Sequence, residues 1–207
     1  MSKQETKENS FFSPLQLTLA GTVFSKVQLL HAHAPQAALA GRSNVGKSSL
    51  LNALAGAKKL AKVSADPGKT RSINFYRIGG SDAFIVDLPG YGYAKRANTE
   101  RRNWAELLQH YLRFSPGLKA LVLLLDARLP PQKSDLALLA YASSLALPVL
   151  PVLSKADKCN KKELAVCLSA WFPLTGSAPL VTSAEKGFGL AELGATLQGI
   201  LFPQPVL

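Results

Sequence analysis

Gly41-Arg42-Ser43-Asn44-Val45-Gly46-Lys47-Ser48 reads G-x-x-x-x-G-K-S, with the apolar run Ala38-Leu39-Ala40 before it and Ser49 after it. An apolar run feeding this spacing predicts a strand, a phosphate-binding loop and a helix in that order. Two glycines let the backbone close around a phosphate, and the N–H groups of the loop and of the first helical turn face inward as an anion cradle. Lys47 then reaches the β and γ phosphates as a point charge, and the Ser48 hydroxyl is a hard oxygen donor suited to Mg²⁺. A nucleoside triphosphate is the ligand this stretch implies.

About forty residues on, Phe84-Ile85-Val86-Asp87-Leu88-Pro89-Gly90 reads as a buried strand ending in Asp-x-x-Gly. That places the Asp87 carboxylate at a strand tip, where it can hold a water of the Mg²⁺ shell. Gly90 has no side chain to obstruct the γ-phosphate, so its N–H can donate to it.

Ser154-Lys155-Ala156-Asp157 follows the apolar stretch Val149-Leu150-Pro151-Val152-Leu153 at another strand tip. A carboxylate accepts from two adjacent donors, which matches guanine N1–H and its exocyclic amine; adenine offers an acceptor and a donor there. The mismatch corresponds to discrimination on the order of 10⁴. The Lys155 stem would cover the purine face. Thr182-Ser183-Ala184, after the run Pro179-Leu180-Val181, supplies small residues whose backbone could approach the guanine oxygen.

In this order the pieces resemble the signature series of translation-factor-like small GTPases. More narrowly they resemble the EngB (YihA/YsxC) family of the TrmE-Era-EngA-EngB-septin-like superfamily. The likeness lies in residues 41–49, in Pro67-Gly68-Lys69-Thr70-Arg71-Ser72-Ile73-Asn74-Phe75, in Asp87-Leu88-Pro89-Gly90-Tyr91-Gly92-Tyr93-Ala94-Lys95, and in Asp126-Ala127-Arg128-Leu129-Pro130-Pro131-Gln132-Lys133-Ser134-Asp135. It implies a G domain binding GTP and GDP with Mg²⁺, a ribosome-associated GTPase that aids large-subunit assembly, and an association with cell division and septation. The family likeness assigns Thr70 as the switch threonine that joins Ser48 on Mg²⁺, with Gly68, Lys69, Arg71 and Ser72 lining the nucleotide; Asp66-Pro67-Gly68-Lys69 is turn chemistry that suits a mobile loop.

Two positions depart from the wider pattern. Ser154 stands where Thr or Asn is usual but keeps a hydroxyl. Tyr91 stands where Ras-like proteins place the glutamine that orients the attacking water, so another device, or a partner, is needed beside the catalytic set Lys47, Thr70 and Gly90. One is a K⁺ ion at Asn44, which resembles the asparagine of potassium-activated relatives; the other is stabilisation in cis by Lys69 and Arg71. Unstimulated turnover is expected to be slow, on the order of 10⁻⁴ to 10⁻² s⁻¹.

Around these loops, apolar strands alternate with helical patterns. Helices are expected over 47–55, 100–113, 133–145, 161–170 and 190–201, and strands near 38–40, 72–78, 83–87, 120–125, 149–153 and 179–181. This is an α/β fold: a doubly wound, mostly parallel sheet flanked by helices in three layers, with ligand loops at the carboxyl ends of the strands. By family analogy the strand near 72–78 runs antiparallel at one side. Residues 16–202 are expected to form one G domain between a flexible tail over 1–15 and a short tail over 203–207, in a chain of 207 residues that is 47% apolar.

The first ten residues are polar and hold no signal-peptide core, and the 118–125 run is too short to span a bilayer, so a cytoplasmic protein without a membrane partner is expected. Cys159 and Cys167, read on one helical stretch, would lie about 12 Å apart, beyond disulfide reach. No Cys-x-x-Cys spacing occurs, and His31, His33 and His110 make no metal site.

Formal charge is +11, from 24 Lys and Arg against 13 Asp and Glu. Lys58, Lys59, Lys62, Lys69, Arg71 and Arg77 face only Asp66 over 58–77, and Lys95, Arg96, Arg101 and Arg102 face only Glu100 over 95–102. Most of the excess thus flanks the two switch segments. A basic surface that changes with nucleotide state suits RNA phosphates, with affinity falling as salt rises, and a solvated basic face with no partner is the alternative. The family resemblance makes the large ribosomal subunit and its RNA the expected partner; DNA is not expected, and the protein is expected to be a monomer. Tyr91, Tyr93 and Phe75 are candidates for base stacking, with core packing the alternative for Phe75. Two further readings remain open: an ATP-using P-loop enzyme, which Asp157 opposes, and a static guanine-nucleotide-dependent module without turnover.

Overall fold

The computed structural model describes residues 13–29, 33–61, 72–91 and 98–204, with the backbone alone for Val27 and 98–104. Thr70 and its neighbours 68, 69 and 71, together with Tyr93 and the basic residues 95–96, lie outside the described residues.

Among the described residues seven strands form one sheet: β1 (Leu17–Val23), β2 (Gln36–Gly41), β3 (Ile73–Ile78), β4 (Phe84–Asp87), β5 (Leu118–Asp126), β6 (Val149–Ser154) and β7 (Leu180–Val181). Their order is β1-β3-β4-β2-β5-β6-β7. The pairs β4/β2, β2/β5, β5/β6 and β6/β7 are parallel, whereas β1/β3 and β3/β4 are antiparallel. The antiparallel strand expected near 72–78 is therefore present.

Period-two alternation divides the core into two layers. On β5, Leu121, Leu123 and Leu125 pack with Leu107, Tyr111 and Leu112 of α2 (Asn98–Phe114), Leu138 and Ala142 of α3 (Lys133–Ser144), and Trp171 of α4 (Lys161–Thr175). The intervening Val122 and Leu124 face the other way, onto Leu50, Leu51 and Leu54 of α1 (Lys47–Leu54) and Leu190, Leu193 and Leu197 of α5 (Leu190–Leu201). The unbroken apolar run Ala120-Leu121-Val122-Leu123-Leu124-Leu125 is what two covered faces require. Because the crossovers run through these helices, the loops after β2, β4, β5 and β6 gather at one edge, the carboxyl ends of the parallel strands.

Sequence patterning does not reveal β1. Only Leu17 and Val23 of its seven residues are buried, and the pairing register with β3 shifts between Leu19 and Gly21. An edge strand with one irregularity has no clean alternation to read. The helix expected over 161–170 continues to Thr175, accommodating Pro173 in its last turn before Gly176 closes it in the left-handed region at φ 70°. Its start corrects the reading of the cysteines. The Asn160 side chain accepts from the Glu163 amide at 2.9 Å and caps α4, so Cys159 precedes the helix that carries Cys167; both are free.

Candidate functional site

The loop between β2 and α1 is shaped by a close approach at Gly41 and by left-handed backbone at Asn44 and Gly46. A Cβ on Gly41 would stand 2.8 Å from both the Leu124 carbonyl and Val45 Cγ1. Gly46 holds φ 111°, and Asn44 holds φ 65°, where asparagine is among the few side chains admitted at low cost. No side chain caps the first turn of α1, so its amides stay available at the loop. Lys47 crosses the loop and donates to the Gly41 carbonyl at 3.3 Å. Ser48 is half-buried and Ser49 exposed. The side chains of Val45 and Leu88 are in the core, and Val45 offers its carbonyl to Ser154. Pro89 is buried as well.

Asp87, 3% exposed, closes β4 beside this loop. Burial pushes its carboxyl up to about 6, against the opposing pull of the Lys47 ammonium and a hydrogen bond from Asn74. Burial likewise holds Lys47 below the usual lysine range, with the Asp87 charge opposing the shift. Asp87 Oδ1 has no hydrogen-bond partner among the described residues. An orphaned, buried carboxylate oxygen next to a phosphate loop fits the outer shell of a divalent cation, with Ser48 as the direct donor; Mg²⁺ there would supply charge neutralisation for the phosphates. Ser72, expected to line the nucleotide, instead gives its hydroxyl to Asn74 at 3.3 Å.

Gly90 lies against the phosphate loop. A Cβ there would sit 3.0 Å from Ser43 Cα and 3.1 Å from Lys47 Nζ. Tyr91 corrects an expectation. Its ring is buried at 8% exposure, and its hydroxyl donates to Asp135 Oδ1 at 2.8 Å, so it is not free to stack on a base. Phe75 packs edge-on against Phe84 and Tyr111, the core role.

The loops after β6 and β7 enclose, with the start of α1, a cavity of about 270 Å³, lined by Gly46, Ser49, Leu50, Lys155, Asp157 and Ala184 among others. Ser183 donates to Asp157 Oδ1 at 2.6 Å, which holds this carboxyl below the ordinary range. Asp157 Oδ2 makes no hydrogen bond within the described structure, although Lys158 Nζ stands 3.2 Å away. Lys155, itself at φ 57°, runs its stem past Gly46, and its ammonium donates to the Asn44 carbonyl and pairs with Asp126 at 3.0 Å. Burial of Asp126 is outweighed by bonds from Arg128 and Lys155, which hold it down at about 2. Ser154 donates to the Val45 carbonyl at 2.7 Å and also lies 3.0 Å from the Leu125 carbonyl; it ties β6 to the phosphate loop. Thr182 points inward, onto the Leu153 carbonyl, and its own carbonyl accepts from the Ala156 amide at 3.2 Å.

Sequence reasoning did not single out Asn74, the Asp126–Arg128 pair as a brace for Lys155, or Gly189. A Cβ on Gly189 would lie 2.0 Å from the Val181 carbonyl, and φ is 73°. The Asp-x-Arg spacing was the available signal for the brace; nothing local distinguishes Gly189 from Gly187.

A doubly wound sheet with a glycine-framed loop, a lysine and a buried carboxylate with one unpaired oxygen at its carboxyl edge defines a P-loop nucleoside-triphosphate-binding protein. The family model described as 50S ribosome-binding GTPase matches residues 36–155. A probable GTP-binding protein EngB from Desulfovibrio desulfuricans is 52% identical over 86% of this chain and 89% of its own length. A crystal structure of a probable GTP-binding protein engB superposes with a TM-score of 0.67 at 20% identity, over 82% of this chain and 100% of that one. Era in complex with MgGDPNP and a segment of 16S ribosomal RNA gives a TM-score of 0.67 at 26% identity, over 84% of this chain and 59% of that one. The chain belongs to the EngB family of GTP-binding proteins.

Proposed function

We propose that this protein is a slow GTP-hydrolysing switch that binds the large ribosomal subunit during its assembly, in the cytoplasm and as a monomer. The observation that carries the guanine reading is Asp157, at the cavity that adjoins the phosphate loop: one oxygen is fixed by Ser183, and the other makes no hydrogen bond among the described residues and has the Lys158 ammonium 3.2 Å away. Guanine supplies the two adjacent donors that such an oxygen pair accepts. Lys47, Gly90 and the α1 amides gather where the terminal phosphates would lie, and charge stabilisation by fixed donors is the main catalytic resource for phosphoryl transfer.

The ribosomal reading is supported by the description of the matching family model and by the basic excess over 58–77 and 95–102. Salt-dependent binding to RNA phosphates follows from that charge. Co-sedimentation with separated ribosomal subunits, under GDP and a non-hydrolysable GTP analogue across a salt series, tests it. Binding to the large subunit that depends on the nucleotide and falls with salt is expected; equal binding under both nucleotides would reject the switch. No helix among the described residues is long and apolar enough to cross a membrane.

A further inference from the structure

We propose that Tyr91 and Asp135 are a positioning pair that fixes Gly90 against the phosphate loop and thereby strengthens the site's hold on a third phosphate relative to its hold on the diphosphate. This rests on the GTP reading above and adds a residue pair to it.

Residue 91 is held on three sides. Its N–H donates to the Gly41 carbonyl at 3.3 Å, and its carbonyl accepts from the Ser43 amide at 2.9 Å, so that it brackets Arg42 in a parallel bridge beyond the end of β4. Its side chain reaches the opposite way, where the hydroxyl donates to Asp135 in the first turn of α3 at 2.8 Å. Asp135 is 3% exposed, so the bond lies out of water. Its carboxyl is held above the ordinary range by burial, with the Tyr91 bond and the Arg42 charge opposing.

Gly90 is one peptide away from this anchor, within contact of the Ser43 backbone and the Lys47 ammonium. Its amide is the group that would meet a third phosphate, while a diphosphate ends short of it. Loss of the phenolic hydroxyl leaves a buried carboxylate short of a donor and frees residue 91 on its α3 side. The cost falls on the contact Gly90 makes, not on the cradle of the first two phosphates.

The test is calorimetric titration of the wild-type protein, Tyr91→Phe, Asp135→Asn and Asp135→Ala with GDP and with a non-hydrolysable GTP analogue. Tyr91→Phe keeps the ring, and Asp135→Asn keeps an acceptor for the hydroxyl. The ratio of analogue affinity to GDP affinity is expected to fall about tenfold in Tyr91→Phe and Asp135→Ala, and to stay within about twofold of wild type in Asp135→Asn. Either of the first two variants suffices should the other not fold. An equal loss for both nucleotides would show a merely structural bond, and an unchanged ratio, or an Asp135→Asn variant as impaired as Tyr91→Phe, would also overturn the proposal. A wild-type protein that binds neither nucleotide would instead reject the GTP reading.

Discussion

Ser183 and Asp157 are 26 residues apart in sequence and 2.6 Å apart in space, the hydroxyl donating to Oδ1. The bond joins the loop after β7 to the loop after β6 and sets the direction of the second carboxylate oxygen. Removing that donor in Ser183→Ala releases the carboxyl from its brace, and its pKa is expected to return toward the ordinary range. Affinity for GDP should fall about tenfold, by calorimetry, with little change in melting temperature, because a charge-assisted bond that orients a binding group acts mainly on the ligand.

Gly189 is where the fold has no latitude. Alanine there would meet the Val181 carbonyl at 2.0 Å in a backbone region unfavourable to side chains, and either α5 or β7 must shift. Gly189→Ala should cost on the order of 3 kcal/mol. For a domain of this size that is a fall of roughly 6–12 °C in melting temperature by calorimetry.

The carboxyl of Asp87 titrates near 6 in the folded protein against 3.8 ordinarily. The native state therefore holds this proton more tightly than the unfolded chain does. The stabilisation is complete below about pH 4 and is lost as pH rises through about 6. In nucleotide-free protein stripped of metal, wild-type stability relative to Asp87→Asn should decline by about 3 kcal/mol between about pH 4 and about pH 7, measured by urea unfolding. A flat difference curve would mean that Asp87 stays ionised throughout.

Asn44 has a backbone reason for its identity as well as a chemical one. It sits at φ 65°, is exposed, and its carboxamide makes no hydrogen bond with a described residue. Asn44→Gly keeps that backbone and removes the carboxamide. If the free carboxamide recruits K⁺, GTP turnover is faster in KCl than in matched NaCl for the wild type, and the difference disappears in the variant. A difference that survives in Asn44→Gly would leave the stimulation to another group.

Much of this site was legible because its chemistry is local in sequence. Gly41, Gly46, Lys47 and Ser48 fall within eight consecutive residues, and continuous apolar runs placed Asp87 at a strand tip, where the structure has it, and Asp157 close to one, which the structure places in the single turn Ala156–Lys158 just after β6. The connections between loops were not legible. Tyr91 reads as a departure from a catalytic glutamine until Asp135 is seen 44 residues away, and Ser154 reads as a base contact until the Val45 carbonyl is found 109 residues earlier. A single sequence carries no signal for such pairings beyond the motif that contains each partner. The edge strand β1 escaped for a different reason: most of its residues are half or fully exposed, so no buried face shaped its pattern.

The claim on which the rest depends is that Asp157 reads the purine, and the direct measurement is nucleotide selectivity of Asp157→Asn by competition among GTP, ATP and xanthosine triphosphate. Exchanging an acceptor oxygen for an amide donor should weaken GTP and favour xanthosine triphosphate, with ATP weak throughout. Undiminished GTP affinity in this variant, or competition by ATP equal to that by GTP in the wild type, would contradict it.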